Sequence, residues 1–502
     1  MKKIVLLVCL LVCIKYGISQ DYKTEPHRPQ FHFSPKKHWM NDPNGMVYYN
    51  GVYHLFFQHY PAGIKWGPMH WGHATSKDLI HWEEQPIALY PDSLGYIFSG
   101  SAVVDKNNTS GFGKDGKAPL VAIFTHHDTT GEKAKKIDYQ NQSIAYSLDE
   151  GKTWTKYEGN PVVKNSGITD FRDPKVMWYS PAKKWIMSLA VKDRISFYSS
   201  TNLKEWNRES DFGKDLGAHG GVWECPDLFP LEHNGKKVWV LLVSINPGGP
   251  NGGSATQYFL GNFDGKQFTP VDTITRWVDY GTDNYAGVTF SNTGKRTIFM
   301  GWMSNWQYAQ DVPTDSWRSA MTVPRELEIK AVKNRMVLSS KPVKELNNLM
   351  KGTVVLKDIK AKNKYDLGIK AGKITGLFQL ELSGLPLDDF SIVMANDEGD
   401  ELVIGYDKTN NQYYIDRSQS GKKDFEPGFA KRHTAPRIAV NKAIKLKLIA
   451  DVASVEIFAD DGLTTMTDIF FPRSLISRIY LKSAKGISIK ELKYIKINSA
   501  LK

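Results

Sequence analysis

The sequence predicts an all-β protein, a β-propeller followed by a β-sandwich. Three observations carry that expectation. Helical periodicity is scarce, while short apolar, aromatic and β-branched runs recur between Gly, Asn, Asp and Pro. A polar turn ending in an aromatic residue occurs four times between Ser76 and Phe268. Tryptophan, common up to Trp317, never occurs again, and plainly alternating strands take over from about Leu346.

The chain has 502 residues, enough for two domains with substantial cores. Residues 1–19 read as a secretory signal. Lys2 and Lys3 form its charged start, and Ile4 to Ile14 is an apolar run too short to span a bilayer. Gly17-Ile18-Ser19 offers small residues before Gln20. Cys9 and Cys13 raise a lipoprotein alternative, but bulky Val8 and Val12 precede them where lipid attachment wants a small residue. A secreted, periplasmic or cell-surface protein without a membrane span is therefore expected. Loss of Lys2, Lys3 and Lys15 would lower the net charge from +12 by three, to +9. That charge is dispersed, and short clusters such as Lys133, Lys135 and Lys136 read as solvated surface. No nucleic-acid partner is expected. Cys225 would be the one remaining cysteine, without a disulfide, and reads as a small buried hydrophobe.

The first element is a hairpin, Met46–Tyr49 and Val52–Phe57 around Asn50-Gly51. The repeat follows. Ser76-Lys-Asp78-Leu79-Ile-His-Trp82 is echoed by Ser200-Thr-Asn202-Leu203-Lys-Glu-Trp206 and, one residue longer, by Ser147-Leu-Asp149-Glu-Gly151-Lys-Thr-Trp154. Gly261-Asn-Phe-Asp264-Gly265-Lys-Gln-Phe268 is a fainter copy. Intervals of 72, 52 and 62 residues between their aromatic anchors suit one four-stranded blade each. Val121–Phe124, Val238–Val243 and Thr297–Trp302 supply further blade strands. The propeller is expected over 20–335, a linker over 336–345 and the sandwich over 346–502. Phe378–Leu382, Phe390–Met394, Leu402–Tyr406, Tyr413–Asp416, Ile444–Ile449, Ser454–Phe458 and Ile469–Phe471 supply about seven sandwich strands.

Three acidic clusters carry the chemistry. Trp39-Met40-Asn41-Asp42-Pro43-Asn44-Gly45 places Asp42 among turn formers, near Gln58 and the flat faces of Trp66 and Trp71. Amide, acid and aromatic side chains together suit a sugar, although an Asx turn would explain the first segment equally well. Phe171-Arg172-Asp173-Pro174 is either a surface turn or an ion-paired carboxylate able to accept from a diol. Trp223-Glu224-Cys225-Pro226-Asp227 flanks Glu224 with uncharged neighbours, surroundings in which a carboxyl tends to keep its proton.

These segments, with Phe56-Phe-Gln58-His-Tyr-Pro61 and Phe98-Ser-Gly-Ser101, stand in the order found in family 32 of the glycoside hydrolases, and the chain resembles that family over nearly its whole length. Asp416-Arg417-Ser418-Gln-Ser420-Gly421 and Ser454-Val-Glu456-Ile-Phe458 resemble landmarks of its C-terminal sandwich. The resemblance implies a five-bladed propeller carrying the active site. It implies Asp42 as nucleophile, Glu224 as acid/base and Asp173 as transition-state stabiliser beside Arg172. Asn41, Gln58, Trp66, Phe98, Ser101 and Trp306 are implied to line the pocket for a terminal fructose. No cofactor or metal is implied; His126-His127 on a strand would point to opposite faces.

Within the family, the segments Gly301–Tyr308, Trp317-Arg318-Ser319 and Val323–Leu327 look most like exo-acting levanases and exo-inulinases. An exo-acting fructan β-fructosidase that also cleaves sucrose is the resulting expectation, with fructan or sucrose as substrate. A sucrose-specific invertase, a fructosyltransferase and a lectin-like binder are the alternatives; the presence of all three carboxylates argues against the last.

Overall fold

The computed structural model describes residues 21–501, so the expected signal segment lies outside the described residues. Strands make up nearly all of its regular structure. Five antiparallel sheets form the propeller and two six-stranded sheets form the sandwich. The innermost strands of the five blades are His38–Tyr49, Tyr96–Val104, Phe171–Tyr179, Val222–His233 and Tyr285–Thr289, and each packs against the next around a ring.

The hairpin expected at Asn50-Gly51 joins the first two strands of blade one, with Tyr49 opposite Val52. Both turn residues have positive φ, 45° and 84°, as a two-residue hairpin turn of matching twist demands. The repeated turns fall at one place in the architecture, between the third and fourth strands of blades one to four. In the first three, the anchor's indole N–H donates to a turn carbonyl three residues earlier: Trp82 to Leu79, Trp154 to Gly151, Trp206 to Leu203. The ring is closed across sequence ends. Trp317-Arg318, from blade five, adds to blade one as a parallel partner of His38-Trp39.

Blade five runs further than expected. Arg335–Pro342 pairs with Arg325–Val332 along its full length as the outermost strand, so most of the stretch expected to be a linker belongs to a sheet. A 3-10 turn, Lys344–Leu349, then leads into the sandwich strand Met350–Ala361. Six of the seven expected sandwich strands are present. The last lies earlier, at Thr464–Ile469 rather than Ile469–Phe471. Its polar residues are buried because they face the propeller: Thr465 donates to the Val278 carbonyl, Thr467 to Asp279.

The two domains are clamped by buried charge. Arg325 of blade five pairs with Asp279 at 2.8 Å and with Glu456 of the sandwich, and Glu456 also meets His32 at 2.8 Å. His32 reaches Asp451 at 2.8 Å through its other nitrogen. A second clamp joins Arg417 to Asp283 at 2.8 Å and to the Tyr308 hydroxyl at 3.0 Å. The sequence landmarks around Arg417 and Glu456 are thus the residues that hold sandwich to propeller.

Candidate active site

All five inner strands are irregular at the same height. In each, two consecutive residues oppose one residue of the neighbouring strand: Asn41-Asp42 opposite Gln58, Phe98-Ser99 opposite Thr125, Asp173-Pro174 opposite Leu189, Cys225-Pro226 opposite Val243, and Ala286-Gly287 opposite Gly301. Such bulges re-aim side chains and tolerate residues that cannot donate to the ladder. In three of the bulges a residue takes positive φ: Asp173 at 65°, Cys225 at 45° and Ala286 at 53°. Five bulges at one end of five converging strands turn their side chains toward the propeller axis.

Asp42, Asp173 and Glu224 meet there. Asp42 Oδ2 accepts from Ser99 Oγ at 2.6 Å and its Oδ1 from Asn41 Nδ2 at 3.0 Å. Asn41 is itself oriented by the Trp39 indole N–H at 2.7 Å. Asp173 Oδ2 accepts from the Cys225 backbone N–H at 3.0 Å, while the Asp173 N–H donates to Thr125 Oγ1 at 3.0 Å. Glu224 Oε1 accepts from Arg172 at 2.9 Å, and its Oε2 accepts from the Tyr285 hydroxyl. Cys225 ties the set together: its thiol lies 3.5 Å from Asp42 Oδ2 and 3.7 Å from Asp173 Oδ2.

The electrostatics follow from three carboxyls sharing one buried site. Burial raises the pKa of Asp42. The hydrogen bonds from Ser99 and Asn41 oppose the rise, and the negative charge of Glu224 adds to it. Burial also raises Asp173, against Arg172 and with help from Glu224 and Asp42. Burial works against the charge of Arg172 but is outweighed by Glu224, Asp173 and Asp170, so its guanidinium is held charged. Burial and the neighbouring Glu224 push the Tyr285 hydroxyl up, which keeps it a donor.

The uncharged surroundings expected for Glu224 are not those it has. Its sequence neighbours flank it along the strand, but its carboxylate faces Arg172 and Tyr285.

Phe98, next to Ser99, meets Trp66 edge-on with ring centroids 6.1 Å apart. Phe98 is backed by His127, stacked at 4.1 Å. Trp306 stands on another side, stacked on Trp39 at 5.8 Å. Gln58 lies behind the Asp42 bulge and donates to Asn44 at 2.7 Å.

Ser101 departs from expectation. It is 2% exposed, and its hydroxyl donates to the Pro174 carbonyl and accepts from the Val176 N–H. It stitches blade two to blade three, and Ser99, on the bulge, reaches Asp42 instead.

Ser99, Tyr285 and Cys225 are the members of the cluster that the sequence reading missed or read as structural. A signal for them existed. Each bulge has Pro or Gly as its second residue or directly after it, at Asp42-Pro43, Ser99-Gly100, Asp173-Pro174, Cys225-Pro226 and Ala286-Gly287. That pattern returns at blade spacing.

Comparison with known proteins agrees with this architecture. The chain is 46% identical over 508 residues to a levanase of Bacillus subtilis, covering 98% of this chain and 74% of that one. It is 41% identical to an extracellular exo-inulinase of Aspergillus ficuum, covering 96% of each. Among solved structures, exo-inulinase from Aspergillus awamori superposes with a TM-score of 0.87 at 37% identity, over 96% of this chain and all of that one. A β-fructofuranosidase from Schwanniomyces occidentalis gives 0.88 at 35% identity, over 96% of this chain and 99% of that one. The model of the glycosyl hydrolases family 32 N-terminal domain matches residues 32–342, and that of the family's C-terminal domain matches 345–498. On both domain matches and on these relatives, the chain with its five bulged inner strands belongs to glycosyl hydrolases family 32.

Proposed function

We propose that this protein is an exo-acting fructan β-fructosidase that removes terminal fructose from levan- or inulin-type chains and also cleaves sucrose. The observation that carries the reading is the convergence of Asp42, Asp173 and Glu224 around Cys225 at one end of the propeller. A levanase and exo-inulinases among the relatives support the polymer as substrate.

In the mechanism, Glu224 protonates the glycosidic oxygen as the bond to the anomeric carbon breaks. Asp42 attacks that carbon through an oxocarbenium-like transition state and forms a fructosyl ester. Glu224, now a base, takes a proton from water, which releases fructose with retained configuration and regenerates both groups. Retention calls for the two carboxyls to stand about 5–5.5 Å apart. Asp173, beside Arg172, holds the ring hydroxyls and stabilises the developing positive charge. Asn41 and Ser99 fix the attacking carboxylate, and Tyr285 with Arg172 fixes the acid. Trp66, Phe98 and Trp306 give the fructose its apolar walls. This chemistry requires no cofactor or metal.

We also read the protein as secreted. The composition of residues 1–19 and the extracellular exo-inulinases among the relatives support that reading.

Time-resolved product analysis on sucrose, inulin and levan tests the function. Fructose alone from the polymers is expected. A ladder of oligosaccharides would mean internal cleavage, and products longer than the substrate would mean transfer.

A further inference from the structure

Of the ten exposed large apolar side chains among the described residues, four sit on loops at the pocket end of blades one and two: Trp66, Tyr90, Leu94 and Ile137. Trp66 already borders the pocket beside Phe98. Tyr90 is the most exposed aromatic of the set, at 55%, and no role in fructose binding or bond cleavage accounts for it.

Its place is close to the pocket. Leu89, the preceding residue, pairs with Trp71, and the Trp71 indole N–H donates to the Phe98 carbonyl at 3.0 Å. The Tyr90 ring meets His70 edge-on at 5.5 Å. The loop beneath it is built rather than loose. Lys156 Nζ donates to the Tyr90 carbonyl at 2.6 Å and to Asp92, and Asp92 and Gly95 exchange two backbone hydrogen bonds. Asp92 Oδ1 also accepts from the Leu94 N–H at 2.8 Å and lies 3.4 Å from His126. An aromatic face held out to water by a rigid loop loses little further freedom on taking a ligand. Apolar side chains gathered beside an open pocket also mark a binding surface.

We infer that Tyr90, with Trp66 and Leu94, forms a platform on the pocket rim that takes fructosyl units of the polymer beyond the one being cut. This rests on the proposed fructan activity. The furanose ring presents a C–H face to the aromatic rings, while its hydroxyls stay in water. Trp66 meets Phe98 at 6.1 Å, and sucrose is too short to need the platform.

The test compares Tyr90→Ala and Tyr90→Phe with the unaltered enzyme on sucrose and on long-chain levan or inulin. Tyr90→Ala should lower kcat/KM on the polymer by about five-fold, through KM, the scale of one aromatic contact. Sucrose kinetics should not move, and Tyr90→Phe should restore polymer kinetics because the ring face is kept. An unchanged polymer KM in Tyr90→Ala, or an equal loss on sucrose, would overturn the platform while leaving the fructosidase reading intact. Cleavage of sucrose alone by the unaltered enzyme would overturn both the fructan reading and the platform.

Discussion

As the proposed nucleophile, Asp42 must act as the ionised carboxylate, and burial raises its pKa above the ordinary 3.8. Activity should therefore fall on the acid side at a pH above that value. Ser99 donates to Asp42 Oδ2 at 2.6 Å and opposes the rise. In Ser99→Ala the carboxyl should protonate at a still higher pH, so the acid limb of the kcat/KM profile on sucrose should move upward; an unmoved limb would discount Ser99. Tyr285 donates to Glu224, the proposed acid/base. Tyr285→Phe removes a hydrogen bond to a charged group and should lower kcat by about 10- to 100-fold with KM little changed. A rise in KM with kcat intact would make Tyr285 a binding residue instead. Asp42, Asp173 and Glu224 were legible because each stands in a distinctive segment. Tyr285 stands in Asp-Asn-Tyr-Ala, which carries no such mark. The family resemblance pointed to Ser101, but the bulge at Phe98-Ser99 brings Ser99 to Asp42 instead.

Among the elements, the bulged inner strand is the functional unit. It is recognisable as Pro or Gly interrupting an otherwise apolar strand at blade spacing. Blade five shows how little room it leaves. A Cβ on Gly287 would stand 2.1 Å from the ring of Phe299, which is fully buried. Gly287→Ala should cost about 1–3 kcal/mol of stability and lower kcat as well, since Tyr285 hangs from the same strand. Thermal unfolding and sucrose turnover on one preparation would check both; a normal Tm and kcat would show that the strand gives more easily than its packing indicates. The outer turns were the most legible elements, because Ser, Asp or Asn and Trp make the same local hydrogen bonds in each of the first three blades. The strand Thr464–Ile469 was misplaced because buried Thr and Asp look like loop until the propeller they face is present.

For the whole molecule, the interface between propeller and sandwich is fastened by His32, Asp279, Arg325, Asp451 and Glu456. Glu456→Ala would leave Arg325 and His32 with less counter-charge in the interior and should cost about 3–5 kcal/mol. His32 is flanked by two carboxylates. Despite the burial penalty, its hydrogen bonds to Asp451 and Glu456 raise its pKa to about 9. A raised histidine stabilises fully below its unfolded value near 6.5, and that contribution is lost as pH rises through about 9. The Tm should therefore fall on the alkaline side, and His32→Gln should flatten that fall. An equally steep fall in the variant would place the alkaline sensitivity elsewhere. The two-domain order was legible from the loss of Trp after Trp317. The interface was not, because its partners lie hundreds of residues apart and only the fold brings them together.

The proposed mechanism turns on a covalent bond between fructose and Asp42, made with Glu224 as acid and broken with it as base. Trapping tests this most directly: a β-fructofuranosyl substrate with a good leaving group is given to Glu224→Gln, and the digested enzyme is examined by mass spectrometry. The leaving group needs no acid, so the ester should form, and with no base to activate water it should persist. One fructosyl unit is expected on the peptide carrying Asp42, and none in Asp42→Asn. A fructosyl unit on Asp173, or free fructose of inverted configuration with no adduct, would contradict it.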